Sequence, residues 1–370
     1  MIMNNIAHKL NTQDKENQFL SIFKEEVENS RKHLFNFAQS LPKPLGDLLL
    51  NHFSSRLQKS NSLPMLGEYA LYMIADLFNI KKELPFKFSY AWILLYEYTL
   101  LIDDMIDEND TNNKNNIAVS QILLAEFLYA FNSKTLRSEL LFESFNIYMK
   151  EWINGSLHNT PDVFITNHDF SNNIFRHQSK RASIAKFGAS SLFIDAHNRS
   201  LSLNEEVIIE HLCAGLMLLD DLTDVFIDFN NKQDNYLLNV TINWFRLNVA
   251  SKYLKLDQIT NNQLYIGLIY SNAIIDSWEA IANEIDLALN NFPHNWGNTY
   301  HFFHFISLGC RESVKHLRNE YNNLPKFNYT MLNINSHLKK QKIIDFGQKI
   351  LEYNLNRIIQ IIQNAPKACQ

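Results

Sequence analysis

The sequence is poor in cysteine and in the residues that punctuate β-structure. Only 9 glycines and 8 prolines occur among 370 residues. Dipeptides that form tight hairpins, such as Asn-Gly between alternating apolar residues, are nearly absent, which argues against a β-fold. The three cysteines (Cys213, Cys310 and Cys369) are odd in number and widely spaced, which argues against a disulfide framework and against a zinc site. We therefore expect a reducing, cytoplasmic location.

Charge and hydropathy disfavour further classes of protein. A net charge of −5 gives no basic field for nucleic acid. The longest apolar stretch, residues 90–102, contains Glu97 and is too short to span a bilayer. The first 18 residues are polar and lack the apolar core of a signal peptide. The sequence thus predicts a soluble protein with no membrane span and no nucleic-acid partner.

The apolar residues recur at intervals of three and four over long stretches, which predicts helices nearly throughout. No linker rich in Pro, Gly or Ser and no fixed repeat interrupts them. We expect one all-α domain at 16–365, preceded by a disordered or loosely ordered segment at 1–15. The predicted helices are 16–40, 44–58, 63–80, 86–108, 116–132, 135–155, 171–200, 204–228, 234–254, 260–290, 297–322 and 336–363.

Two acidic clusters share one internal spacing. The first reads Asp-Asp-Met-Ile-Asp at 103–107, and the second reads Asp-Asp-Leu-Thr-Asp at 220–224, followed by Asp228. Residues four apart lie on one face of a helix, so each cluster forms a row of carboxylates that repel one another. Oxygen ligands without Cys or His favour Mg²⁺, which usually also binds substrate phosphates. The predicted metal ligands are Asp103, Asp104, Asp107, Asp220, Asp224 and Asp228.

Each acidic row continues backwards as an apolar or aromatic stripe. Before the first cluster the stripe holds Trp92, Tyr96 and Thr99, and before the second it holds Cys213 and Leu216. Two such helices predict a deep apolar pocket with metal ions at its mouth, suited to a ligand with an anionic head and a hydrocarbon tail. The alternative is that the stripes are ordinary core and the acids are solvated helix ends. The matched spacing disfavours that alternative for both clusters together.

Basic residues for an anion occur between and after the clusters. Lys180 and Arg181 begin a segment that looks helical, and Lys232 follows the second cluster. Lys and Arg are expected where a diphosphate binds. Taken alone, the segment at 180–181 is equally compatible with an exposed basic helix face.

At these residues the chain resembles the class I isoprenoid synthases, which comprise prenyl diphosphate synthases and terpene cyclases. The resemblance covers roughly residues 60–240, and the 220–228 segment is similar to the second motif of short-chain prenyl diphosphate synthases. It implies an all-α, single-domain helical bundle with a central apolar cavity. It also implies three Mg²⁺ ions, with Mn²⁺ as an alternative, a prenyl diphosphate substrate and Arg181 as a diphosphate sensor. Dimers are frequent in that superfamily, and the sequence leaves a homodimer open.

Two departures from the chain-elongating synthases direct the functional expectation. Those enzymes bind isopentenyl diphosphate with a Gly-Lys-Arg segment and an Arg-Arg pair, whereas this chain has Ser-Asn-Ser-Leu-Pro-Met at 60–65 and Asp-Thr-Asn-Asn-Lys at 110–114. The resemblance therefore implies a terpene cyclase, a carbon–oxygen lyase with Asp103, Asp107 and Arg181 as catalytic residues. The expected substrate contacts are Lys180, Arg181, Lys232, Trp92, Tyr96, Thr99, Cys213 and Leu216.

Two alternatives stay open. The first is a prenyl diphosphate synthase with an atypical isopentenyl diphosphate site. The second is a non-catalytic helical protein that binds divalent metal ions for structure or regulation.

Overall fold

Every regular element that the structure describes is a helix, which confirms the all-α prediction. The computed structural model describes residues 19–59, 66–107, 114–132, 138–157, 183–231, 235–248, 259–292, 297–324, 326 and 337–365. A short 3-10 helix, Leu20–Phe23, precedes the first α-helix. The α-helices are α1 Lys24–Ser40, α2 Leu45–Lys59, α3 Leu66–Leu77, α4 Glu83–Asp107, α5 Lys114–Asn132, α6 Ser138–Leu157, α7 Ser183–His197, α8 Leu203–Asn231, α9 Tyr236–Asn248, α10 Asn261–Tyr270, α11 Ala273–Asn290, α12 Asn298–Tyr321 and α13 His337–Gln363.

One predicted helix is wrong as a single element. The segment 260–290 forms two helices, α10 and α11, because Asn272 adopts a left-handed backbone conformation with φ of 59° between them. Asparagine tolerates this conformation better than most residues. The predicted disordered segment 1–15 and the first part of the predicted helix 171–200 lie outside the described residues.

Side-chain caps fix the start of two helices. At α10, Thr260 accepts a hydrogen bond from the backbone of Gln263, whose own side chain accepts one from the backbone of Thr260. At α8, the carboxylate of Glu205 accepts a bond from the backbone N–H of Ser202, whose hydroxyl accepts one in return. Both are reciprocal capping boxes, which satisfy backbone donors that a helix N-terminus leaves free.

Two hydrophobic cores meet in the middle of the bundle. The first is built mainly from α8–α13, and the second mainly from α1, α2 and α4–α7. Helix α3 contributes to both, because Met73 and Leu77 face the first core and Leu71 and Ile74 face the second. Helix α8 also contributes to both. The seam between the cores is where the candidate site lies.

Among the described helices, none combines the length and the apolar character that a membrane crossing requires.

Candidate functional site

A cavity of about 330 Å³ lies at the seam between the two cores. Most of its wall is apolar, and the residues come from α3, α4, α6, α7, α8 and α12. Its volume falls in the range of ordinary small-molecule sites. The lining residues are Leu66, Gly67, Ala70, Met73, Ile74, Leu77, Trp92, Tyr96, Thr99, Leu100, Asp103, Trp152, Ile184, Ala185, Ile209, Leu212, Cys213, Leu216, Met217, Asp220, Thr299 and Phe303.

One aspartate from each acidic cluster lines this cavity. Asp103 lies near the end of α4, Asp220 lies on α8, and Asp220 is exposed. Trp92, which also lines the cavity, lies eleven residues before Asp103, which is about 16 Å along the helix axis. Each of the two helices therefore lines the cavity with apolar or aromatic side chains and with one carboxylate.

The acidic row on α8 concentrates negative charge. Burial, and after it the neighbouring carboxylates of Asp220 and Asp228, raise the pKa of Asp224 to about 7. The hydroxyl of Thr223 opposes this shift by donating to Oδ1 of Asp224 at 3.2 Å. A carboxyl group in this condition is favourable for a cation, since a positive charge would stabilise its ionised form.

Asp221 is buried, unlike the exposed Asp220 beside it in the same motif, and it makes structural hydrogen bonds. It is buried, and its carboxylate accepts a hydrogen bond of 3.0 Å from the backbone N–H of Tyr236 at the start of α9. The side chain of Asn235 donates to the carbonyl of Asp221 and to Oδ2 of Asp228, both at 2.7 Å. Asp221 and Asn235 therefore fix the chain after the motif and orient Asp228. Sequence reasoning missed Asn235, although an Asn before a helix is a known capping signal.

Trp92 and Tyr96, the two aromatic residues predicted to line the pocket, are held in the cavity wall by close contact with glycines. The indole N–H of Trp92 donates to the carbonyl of Gly67 at 2.8 Å. A Cβ at Gly188 would lie 2.7 Å from the Trp92 ring, and a Cβ at Gly67 would overlap the ring of Tyr96. Behind Tyr96, the guanidinium of Arg56 lies 5.9 Å from the ring centroid. Both rings therefore have defined positions.

The other predicted contacts that the structure describes also line the cavity. The hydroxyl of Thr99 donates to the carbonyl of Tyr96 at 2.9 Å, so its hydrogen is already used. Burial raises the pKa of the Cys213 thiol to about 12, so the thiol stays protonated. Leu216 lies one helical turn before Asp220. What these residues bind stays a prediction.

Several predicted residues cannot be placed. The side chains of Asp104 and Asp107, and the whole of Lys180, Arg181 and Lys232, lie outside the described residues. Their assigned roles stay predictions. Sequence reasoning also missed the part of the wall that α3 and α12 contribute. Periodicity reveals an apolar face on each of these helices but does not say which other helices that face packs against.

The chemistry of the donors fits a hard divalent cation. Asp103 and Asp220 present only carboxylate oxygen, and the α8 row adds Asp224 and Asp228. Such donors suit the Mg²⁺ and Ca²⁺ class of ion. Among the side chains that the structure describes, no three His, Cys, Asp or Glu form a metal-binding group by themselves. Donors from elsewhere, such as substrate phosphate, would complete the coordination.

The helices form the all-α isoprenoid synthase fold, which solved structures share. The geranylgeranyl pyrophosphate synthase of Lactobacillus brevis matches with a TM-score of 0.60 and 14% identity, covering 79% of this chain and 96% of that one. The heptaprenyl diphosphate synthase of Staphylococcus aureus matches with a TM-score of 0.57 and 15% identity, covering 78% of this chain and 98% of that one.

A third structure is that of the geranylgeranyl pyrophosphate synthase of Corynebacterium glutamicum complexed with calcium and isoprenyl diphosphate. It matches with a TM-score of 0.54 and 13% identity, covering 80% of this chain and 97% of that one. No family model matches the sequence, and no curated protein matches it. The comparisons therefore establish the fold.

Proposed function

We propose that this protein is a Mg²⁺-dependent class I terpene synthase. It would ionise a linear allylic prenyl diphosphate (farnesyl, geranylgeranyl or longer) and convert the carbocation to a cyclic or rearranged terpene with release of diphosphate. The observation that carries the proposal is that Asp103 and Asp220, one from each acidic cluster, line the same apolar cavity. That geometry suits a substrate with a diphosphate head and a hydrocarbon tail.

The chain's own residues divide the work between head and tail. Asp103, Asp104 and Asp107 on α4 and Asp220, Asp224 and Asp228 on α8 would hold divalent ions, which neutralise charge on the leaving diphosphate. Lys180, Arg181 and Lys232 are proposed to bind the same diphosphate. The apolar wall holds the tail and excludes water from the reacting carbons. Trp92 and Tyr96 line the cavity, and their aromatic rings are proposed to stabilise the positive charge of the carbocation.

A cyclase is favoured over a chain-elongating enzyme by the charges near the 60–65 segment. Elongation needs a second diphosphate site, and neutral residues stand at 60–65 and 111–113 where that site needs cations. Of the described arginines on nearby helices, Arg31 is paired with Glu68 through two hydrogen bonds, and Arg56 lies 3.4 Å from the carboxylate of Glu97. A second diphosphate would have to compete with Glu68 for Arg31.

A prenyl diphosphate synthase is the second candidate, and it is favoured by the names of the structural neighbours. All three compared structures are prenyl diphosphate synthases, one of them complexed with calcium and isoprenyl diphosphate. At identities of 13–15%, these matches show a shared fold and do not distinguish between the two reactions.

One incubation separates the two candidates. The protein is mixed with Mg²⁺ and geranyl, farnesyl or geranylgeranyl diphosphate, with and without isopentenyl diphosphate, and the organic extract is analysed by gas chromatography and mass spectrometry. A cyclase gives a terpene without isopentenyl diphosphate. A product that forms only with isopentenyl diphosphate, and is longer by five carbons, would overturn the proposal in favour of the second candidate.

A further inference from the structure

Asn235 makes more hydrogen bonds than a helix cap requires. It is the residue before α9, and its side chain is buried. Its oxygen Oδ1 accepts from the backbone N–H of Leu237 at 2.9 Å and of Leu238 at 3.4 Å, and these two bonds cap α9. Its nitrogen Nδ2 donates to the backbone carbonyl of Asp221 and to Oδ2 of Asp228, each at 2.7 Å. The side chain therefore joins the start of α9 to the acidic row of α8.

These four hydrogen bonds give the Asn235 amide a single orientation. An asparagine side chain has one acceptor oxygen and one nitrogen that carries two hydrogens. Here the oxygen faces two N–H donors, and the nitrogen faces two oxygen acceptors. Turning the amide over would place oxygen against oxygen and N–H against N–H, so all four bonds would be lost. The place of the donor beside Asp228 is therefore determined by the backbones of α8 and α9.

Capping alone does not require asparagine at position 235. Serine and aspartate cap a helix about as well, and threonine only slightly less well. A serine or threonine hydroxyl is one bond shorter and carries a single hydrogen, and an ionised aspartate has no hydrogen to donate. Asparagine combines an acceptor for the cap with a donor of two hydrogens. The donor to Asp228 is therefore a feature that this residue type adds to the cap.

The half-buried carboxylate of Asp228 lies where two electrostatic effects are unfavourable to it. It is three residues before the end of α8 at Asn231, where the negative end of the helix dipole disfavours a carboxylate. Asp224, one helical turn earlier, repels it when both are ionised. The hydrogen bond from Asn235 opposes both effects, because a donor to a carboxylate forms a charge-assisted hydrogen bond.

We propose that Asn235 is a positioning residue for the divalent ion that the α8 row is proposed to hold. The inference rests on the proposed function. Asn235 keeps the carboxylate of Asp228 in place before the ion binds, so less order has to be imposed when the ion arrives. Removal of a hydrogen bond that orients a metal ligand typically weakens metal binding about 10–100-fold. Asn235 acts through Asp228, and its effect therefore falls on the affinity for the ion.

The test separates positioning of Asp228 from capping of α9. Asn235→Ser keeps a hydroxyl that can cap the helix but removes the donor to Asp228. The readout is the Mg²⁺ concentration that gives half of the rise in melting temperature at one fixed pyrophosphate concentration, which requires no turnover. This concentration should rise about tenfold in Asn235→Ser. Asn235→Thr replaces the serine variant if that variant does not fold.

A matched control and a kinetic measurement distinguish this role from a structural one. Thr260→Ala removes the cap of another helix, α10, so it should lower the melting temperature and leave the half-saturating Mg²⁺ concentration at the wild-type value. In assays of diphosphate release, Asn235→Ser should need about tenfold more Mg²⁺ and lose less than about threefold in rate at saturating Mg²⁺. An equal loss of rate at every Mg²⁺ concentration would overturn the proposal.

A double-mutant cycle tests whether Asn235 acts through Asp228. Asp228→Ala should itself raise the half-saturating Mg²⁺ concentration. Adding Asn235→Ser to that variant should change the concentration by less than about twofold, because the group that Asn235 positions is already gone. Effects of the two substitutions that multiply would show that Asn235 acts elsewhere and would overturn the proposal.

The failures of the two proposals are distinguishable. If the wild type converts a prenyl diphosphate to a terpene and Asn235→Ser needs no more Mg²⁺ than the wild type, the positioning role is overturned and the terpene synthase stays. If the wild type releases no diphosphate from any prenyl diphosphate at any Mg²⁺ concentration, the proposed function is overturned, and the inference with it.

Discussion

The ring of Tyr96 lies directly against the α-carbon of Gly67, so that a Cβ at position 67 would overlap the ring. This contact lets α3 approach α4 closely and holds the aromatic face in the cavity wall. The absence of a side chain at one residue therefore determines where the aromatic side chain of another can lie.

We expect Gly67→Ala to destabilise the protein by about 1–3 kcal/mol, because the ring must shift or the helices must separate. Chemical denaturation monitored by circular dichroism measures the change. In a Tyr96→Ala background the same substitution should have the opposite sign, since alanine favours a helix over glycine by up to about 1 kcal/mol once the clash is gone. An equal loss in both backgrounds would show that the contact with Tyr96 is not the cause.

The elements of the site were predictable from the sequence to different degrees. The stripes ending in Asp103 and Asp220 follow from helical periodicity alone, which places Trp92, Tyr96, Cys213 and Leu216 on the faces that line the cavity. The helix that lies opposite those faces was not predictable, because periodicity shows an apolar face on α3 but does not show that this face lines the same cavity as α4 and α8.

The finer features depend on contacts between residues distant in the chain. The separate role of Asp221 depends on the backbone of Tyr236, fifteen residues later. The hydrogen bond from Asn235 to Asp228 depends on how α8 and α9 meet, and no pattern in the chain signals it. The break at Asn272 is a backbone conformation that asparagine permits but does not require.

The pKa of Asp224, raised to about 7, predicts a loss of stability as the pH rises. The folded protein holds this proton up to about pH 7, whereas the unfolded chain releases it near its ordinary value of 3.8. The folded state therefore binds more protons between these values, and its free energy of unfolding falls across that window without divalent metal. Asp224→Asn cannot ionise, so its stability should fall less over the same range.

Urea denaturation of both proteins at pH 5 and pH 8 in EDTA tests this expectation. Relative to the wild type, the free energy of unfolding of Asp224→Asn should be higher at pH 8 than at pH 5. Added Mg²⁺ should reduce this change at pH 8, because it stabilises the ionised carboxylate of the wild type. Parallel pH profiles for the two proteins would contradict the assignment of the effect to Asp224.

The ion pair between the half-buried Arg31 and the buried Glu68 should show a large loss of stability when only Arg31 is removed. The carboxylate of Glu68 is 3% exposed, and burial raises its pKa, while Arg31 opposes that shift. Arg31→Met leaves this carboxylate without its partner and should cost about 3 kcal/mol, whereas Arg31→Met with Glu68→Leu should recover most of the loss. As a control, Lys43→Met in the exposed pair with Asp47 should change stability by less than about 1 kcal/mol.

The two cavity aspartates should be essential for turnover but not for folding. Asp103→Ala and Asp220→Ala should each lower diphosphate release at least about 100-fold, as expected when a group that stabilises developing charge is lost. The far-ultraviolet circular dichroism should stay that of the wild type. Asp47→Ala, which removes an exposed aspartate of α2 outside the cavity, should leave turnover unchanged. Retained activity in both cavity variants would rule out the acidic rows as the reactive centre.

Magnesium and pyrophosphate should stabilise the protein together far more than either does alone. We expect an anion shared between the two acidic rows to strengthen their hold on divalent ions, because phosphate oxygens would add ligands to those of the carboxylates. Ligands that bind the folded state stabilise it and so raise the melting temperature. A ligand at a hundredfold excess over its dissociation constant adds about 2.7 kcal/mol to the free energy of unfolding. Differential scanning fluorimetry with Mg²⁺, pyrophosphate and both gives the comparison, and Asp220→Ala should abolish the combined effect. If Mg²⁺ alone gives the full shift and pyrophosphate adds nothing, the acids serve a structural or regulatory metal site, which is the non-catalytic alternative.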